Sequence, residues 1–273
     1  MKQAKAAMRL SAGAIKTFLL AGAAIPVYLI IKQALTPELE SLAWPPIWLP
    51  HRLTLAHLRA VFAVRELRSA VLLSLFVALV TATLATILGL IMAYAMARRS
   101  RMRSAGMGAL TAARLMPMIA VALPLVLVLN RIGLYDSSTG LGLALIHTAI
   151  AIPTTALVIF GVFANIAREQ EEAAWMDGAS LPRILLTIDL PQAKGSVAAA
   201  FVLSFILSWD EFGYALLVQV THRTLPPLLY YYTVFGDVGP ASALALVMMV
   251  PAVIAIVALR PLLGSALMSG GRR

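Results

Sequence analysis

From Ser69 to Ala97 the chain runs for 29 residues without a charged side chain. At about 1.5 Å of rise per residue, that exceeds the roughly 20 residues a helix needs to cross the ~30 Å hydrocarbon core of a bilayer. The full backbone of such a run must find its hydrogen bonds within itself, which a helix does. Further long apolar stretches follow, so the feature is not isolated. Only 12% of the 273 residues are charged and 61% are hydrophobic, whereas soluble domains average about 25% charged. The expected fold class is therefore an all-α integral membrane protein, in one membrane domain.

Six spans are expected, over 11–35, 69–97, 105–129, 139–164, 196–218 and 241–259. The first carries Pro26, and its uncharged run from Thr17 to Ile31 follows Lys2, Lys5, Arg9 and Lys16, a pattern shared with secretory signals; with more spans behind it, it reads as an uncleaved helix. Trp44-Pro45-Pro46-Ile47-Trp48-Leu49-Pro50 cannot be a continuous helix, and its tryptophans suit the membrane interface. Leu55, Leu58 and Phe62 share a face of a short interfacial helix. Arg114 falls inside the third span, where its long side chain is expected to snorkel toward the interface. His147, in the fourth, reads as a hydrogen-bonded packing residue.

Cysteine is absent, which excludes disulfides, thiolate metal sites and a cysteine nucleophile. The net charge of +10 comes from short clusters beside apolar runs, the pattern of membrane topology and not of nucleic-acid binding. Six spans place both termini on one side. Fourteen Lys and Arg lie on that side, including Arg98, Arg99, Arg101 and Arg103, against seven on the other. The excess assigns both termini to the cytoplasm.

One polar interlude interrupts the second half of the chain. The segment from Glu169 to Pro191 holds five of the twelve acidic residues and lies on the cytoplasmic side. Residues 164–176 have helix-forming composition, Gly178 stands where a helix would end in a left-handed turn, Pro182 could open a second short helix, and Leu190-Pro191 would close it. Small Ala173 and Ala174 allow another backbone to approach closely, and flanking carboxylates can meet a partner's basic side chains.

Glu172-Ala173-Ala174, three residues, Gly178, nine residues, Ile188, one residue, then Leu190-Pro191 resembles the cytoplasmic signature loop of permease subunits of binding-protein-dependent ABC importers. The six-span layout fits that family from about Ser69 onward. The resemblance implies a six-helix permease bundle with a coupling-helix loop at 165–195, a leading region over 1–68, a core over 69–263 and a cytoplasmic tail over 264–273. It implies that Glu172, Ala173, Ala174 and Gly178, with Asp177, seat a coupling helix in a groove of an ATP-hydrolysing subunit. The implied assembly sits in the bacterial inner membrane: two ATP-binding subunits, a second permease subunit of a different chain, and an extracytoplasmic solute-binding protein.

No Gly-x-x-x-x-Gly-Lys-Ser/Thr occurs in the chain, so it lacks a phosphate-cradling loop of that kind. ATP and Mg are expected on the partner ATPase, no cofactor is expected on this chain, and the chain is read as a transport subunit and not an enzyme. Trp209, Asp210 and Glu211, with Phe212, form the other conspicuous feature. A carboxylate at the centre of a bilayer costs about 2.5–3.5 kcal/mol, so these acids should face a wet translocation pathway or a partner. The quartet resembles a Trp-Asn-Glu-Phe element of carbohydrate-class permeases, which makes a sugar the expected substrate. A polyamine-type permease of the same fold is the alternative within the family. An ion-coupled secondary transporter, relaying protons or sodium through His147, Asp210 and Glu211, is the alternative outside it.

Overall fold

The computed structural model describes residues 2–269, and among these the regular structure is helical throughout. The last four residues of the expected tail, 270–273, lie outside the described residues. In chain order the helices are α1 (Lys2–Leu35), α2 (Glu38–Ser41), α3 (Ala56–Ala63), α4 (Arg65–Arg98), α5 (Ser100–Leu115), α6 (Met118–Arg131) and α7 (Leu141–Phe163). Next come α8 (Arg168–Met176) and α9 (Leu181–Ile184), the latter running through a π-helical turn (Leu185–Asp189) into α10 (Leu190–Trp209). The chain closes with α11 (Gly213–Val218), α12 (Leu225–Val234) and α13 (Val238–Ser269). Among the described residues five segments are long and apolar enough to cross a membrane singly, and the bent pair α5–α6 brings the number to six if it counts as one span.

Two compact units are present, one of residues 1–68 with 229–249, the other of 69–228 with 250–273. Within the first, the Thr54 N–H donates to the Leu35 carbonyl at 2.8 Å, and His57 Nε2 contacts the Thr36 carbonyl at 3.2 Å. Gly239 packs on the His57 ring with no room for a Cβ. Trp44 and Trp48 are exposed, as expected of interface residues. The short helix arrives as α3, but its buried residue is Val61; Leu55 and Phe62 are exposed. Contact with its own unit, through His57 and Val61, sets the inner face, so the apolar trio read from spacing points mostly outward.

In the second unit α7 is the most enclosed span. One core joins Ala93 and Met96 of α4, Leu110 of α5, Ile159 and Phe163 of α7, and Ala193 and Ala200 of α10. A second joins Val77, Ala122, Leu143, Ala144 and Tyr214. The large outward side chains of α4, including Leu72, Ile87 and Ile91, remain uncovered, which suits contact with lipid tails.

Three expectations about continuity are corrected. The third span is not one helix: α5 and α6 meet at 93°, because Met116 is driven into extended backbone (ψ 126°) by the ring of Pro117. Pro191 does not stop the second helix of the polar loop. The adjoining π-turn at Leu185–Asp189 widens the helix where the proline supplies no donor, and 181–209 is continuous. The fifth span then ends at Trp209, not 218, with α11 separate.

Close packing of α4 on α7 depends on Gly89. A Cβ there would lie 2.8 Å from Thr155 Cγ2 and 3.1 Å from the backbone nitrogen of Ala156. Alanine would gain about 0.8–1.0 kcal/mol of helix propensity over glycine, but overpacking costs about 1–3 kcal/mol, so the steric effect wins. Gly89→Ala should lower the unfolding temperature of the detergent-purified protein modestly, and Gly89→Leu should do so severely.

Candidate functional site

The polar loop is built around a helix end of the expected kind. After α8 the Gly178 backbone turns left-handed (φ 81°). The Ala179 N–H reaches the Ala174 carbonyl and the Gly178 N–H that of Trp175, both at 2.9 Å, a Schellman closure. A side chain at position 178 would be strained by that φ, although nothing stands within 4 Å of its Cβ position.

α8 presents two different faces. Inward, Glu171 is buried and pairs with Arg98 at the end of α4. The same guanidinium donates to the Phe163 carbonyl at 2.8 Å and to Asp189 Oδ1 at 3.4 Å, and it stacks on Tyr94. Asp189 is fully buried, and its Oδ2 and the Arg98 Nε have no hydrogen-bond partner among the described residues. Arg168 returns the contact, donating to the Arg98 carbonyl at 3.2 Å, and Gln192 Nε2 donates to Gln170 Oε1 at 2.9 Å. Outward, Glu172, Ala173, Asp177 and Gly178 are exposed and Ala174 is half-buried. Beside them Trp175 and Met176 are 52% and 88% exposed, unusual for large apolar side chains in a charged loop. A cavity of about 400 Å³ opens here, lined by Arg98, Glu171, Glu172 and Trp175 among others.

The second group lies deep in the helices. Trp209 is buried and stacked on Phe205, and Asp210 is exposed at the end of α10. Glu211 alone of the three lines a cavity of about 550 Å³, together with Arg114, Met118, Thr154 and Tyr214. Its carboxylate accepts from the Tyr214 and Ala215 N–H groups at 2.9 and 3.0 Å, so it caps α11 from outside the helix. His147 bridges Glu211 (3.0 Å) and Ser208 (2.7 Å), and Ser208 reaches Thr81. The histidine is thus a bonded packing residue, as its sequence position suggested. Arg114 donates to Thr154 at 3.0 Å beside the cavity.

Sequence reasoning passed over Arg98, Glu171 and Asp189 as a group. One signal was available. Asp189, Ala193, Ala200, Ser204 and Ser208 are the buried residues of one stripe at helical spacing, and an acid on an otherwise small-residue stripe calls for a buried partner.

With this geometry in hand, residues 85–265 match the family described as "Binding-protein-dependent transport system inner membrane component". The chain belongs to this family. Among relatives of this permease, the sulfoquinovosyl glycerol transport system permease protein SmoH of Agrobacterium fabrum is 30% identical, over 93% of this chain and 90% of that protein. The trehalose transport system permease protein SugB of Mycobacterium tuberculosis is 28% identical, over 94% of each. A bacterial ABC transporter that imports the acidic polysaccharide alginate has a chain of the same fold, with a TM-score of 0.72 at 19% identity, covering 91% of this chain and 95% of that one. The permease is therefore an inner-membrane transport component. That membership sets aside the ion-coupled alternative, although the structure does bring His147 and Glu211 together.

Burial pushes the Glu171 carboxyl above its ordinary value, with Asp189 adding to the rise and Arg98 opposing it. A raised carboxyl favours the folded state at low pH and loses that advantage as pH rises through its folded-state value. Thermal unfolding of wild type should therefore fall, relative to Glu171→Gln, as pH is raised from about 4.5 toward neutrality. Parallel melting curves across that window would exclude this carboxyl as the source.

Proposed function

We propose that this permease is one of the two membrane-spanning subunits of an ATP-driven saccharide importer, and that α8 is its coupling helix. The observation that carries the coupling reading is the two-faced α8: clamped inward by Glu171 and Arg168, and outward offering Glu172, the small Ala173, and uncovered Trp175 and Met176. Such a surface suits a groove on a partner that hydrolyses ATP. ATP and Mg belong to that partner, this chain binding no cofactor. The rest of the assembly is a second permease subunit of a different chain, two ATPase subunits and an extracytoplasmic solute-binding protein, with both termini of this chain cytoplasmic.

Saccharide as cargo is supported by relatives that carry sulfoquinovosyl glycerol and trehalose and by a solved structure of the same fold that imports alginate. The cavity lined by Arg114, Thr154 and Glu211 is the candidate passage, offering hydrogen-bonding groups at a depth where lipid offers none. Glu211 lines it, whereas Trp209, stacked on Phe205, and the exposed Asp210 are not among its lining residues. ATP binding draws the ATPase pair together; the coupling helices follow, and the spans open alternately to each side.

Charge reversal at Glu172 or a proline in the left-handed corner should uncouple the machine. Glu172→Lys should weaken copurification of the ATPase subunits on the order of tenfold or more, since opposed like charges cost several kcal/mol. Gly178→Pro should do the same, because proline fixes φ near −65° where the corner requires 81°. Undiminished copurification in both variants would refute the coupling assignment.

A further inference from the structure

The outward Glu172 is the residue the signature motif singles out, yet its neighbour Glu171 is the one held in a buried ion pair. We propose that the buried Arg98–Glu171–Asp189 cluster is the rigid link that carries movement of α8 into the transmembrane helices, with Arg98 and Glu171 as positioning residues. The proposal rests on the reading of α8 as the coupling helix.

Its basis is convergence. Arg98 is the last residue of α4, and its guanidinium contacts the end of α7 through the Phe163 carbonyl, α8 through Glu171, and the π-turn leading into α10 through Asp189. The side chains of Arg98, Glu171 and Asp189 are 13%, 5% and 0% exposed. Opposite charges at such low exposure are little screened by salt, and separating them would leave a buried charge uncompensated. The second tie, from Arg168 of α8 to the Ala97 and Arg98 carbonyls, runs in the opposite sense. Two contacts of opposite direction resist both sliding and rotation of α8 against the end of α4. Force delivered to the exposed face of α8 therefore reaches three spans through one side chain, and α8 does not hinge separately from them. Glu172 and Glu171 divide the work: one meets the partner, the other holds the helix to the spans.

The absence of cysteine makes site-specific labels straightforward. Spin labels at Glu169→Cys on α8 and Ile91→Cys on α4, both exposed, report their separation by pulsed electron resonance in the complete nanodisc-embedded importer. Measurements are made without nucleotide and with Mg-ATP plus vanadate. With the link intact the distance distribution stays single and unchanged between the two conditions. In Glu171→Gln, and in the milder Arg98→Lys, it broadens or splits on adding nucleotide while the ATPase subunits still copurify. Glu171→Asp, which keeps the carboxylate, stays narrower than Glu171→Gln, an outcome that mere loss of packing would not produce. Unchanged distributions in both Glu171→Gln and Arg98→Lys, or a wild-type distance that itself shifts with nucleotide, would overturn the link. A distribution in Glu171→Asp as broad as in Glu171→Gln would overturn the ionic origin of the link. The two readings fail separately: if Glu172→Lys and Gly178→Pro both retain the ATPase subunits, the coupling assignment falls, whereas if they lose them but Glu171→Gln keeps a fixed distance, only the link does.

Discussion

Hydrocarbon supplies no hydrogen-bond partners, and nearly every polar placement in this permease answers to that constraint. The backbone is satisfied by helix formation. Polar side chains on the spans turn back onto their own helix, as Thr148 does to Ala144, Thr155 to Ala151 and Ser204 to Ala200, or reach another helix, as Thr155 does to Ser204. His147 cannot bond its own backbone in this way. It is placed between Ser208 and Glu211, and that need ties α7 to the end of α10 and the start of α11. A buried ion-pair cluster of the second unit lies where a span meets the polar loop, at Arg98, Glu171 and Asp189, while the Glu211 carboxylate is met by His147 and two backbone N–H groups.

The same constraint explains what could be read in advance. Apolar runs announce spans because only helices and closed barrels cross a membrane, and the helical regions were placed from those runs alone. Gly178 was legible because a left-handed corner after a helix-forming stretch has a strong residue preference. Prolines were legible as disturbances but not in their outcome. Pro117 breaks its span because Met116 is extended before it, whereas Pro191 is absorbed by a wide turn directly upstream. The residue type is identical; the difference lies in whether neighbouring residues can take up an extra backbone group, which no local composition states.

Pairings between helices were the least legible. Arg98 and Asp189 are 91 residues apart, and His147 and Glu211 are 64 apart. Periodicity identifies the inner face of each helix but not its opposite number on another. The acidic loop shows the limit clearly. Its acids were visible as a group, and the family resemblance selected Glu172, yet adjacent positions on a helix point about 100° apart. A motif position therefore says little about its neighbour, and Glu171 proves to be the buried one.

The π-turn joins these themes. One additional residue in a helical turn rotates everything downstream by about 100° relative to an uninterrupted helix. In α10 the resulting register puts Ala193, Ala200, Ser204 and Ser208 on the buried stripe that continues from Asp189. At the loop end of that stripe Asp189 meets Arg98, and farther along it Ser204 meets Thr155 and Ser208 meets His147. The wide turn lies upstream of this stripe, so it sets the rotation of the stripe as a whole relative to α9 and not the spacing within it. The wide turn beside Pro191 is thus more than relief for a missing donor. It sets how α10 is turned relative to α9, and the ordinary helical spacing downstream lets one helix serve the loop at one end and the interior polar network at the other.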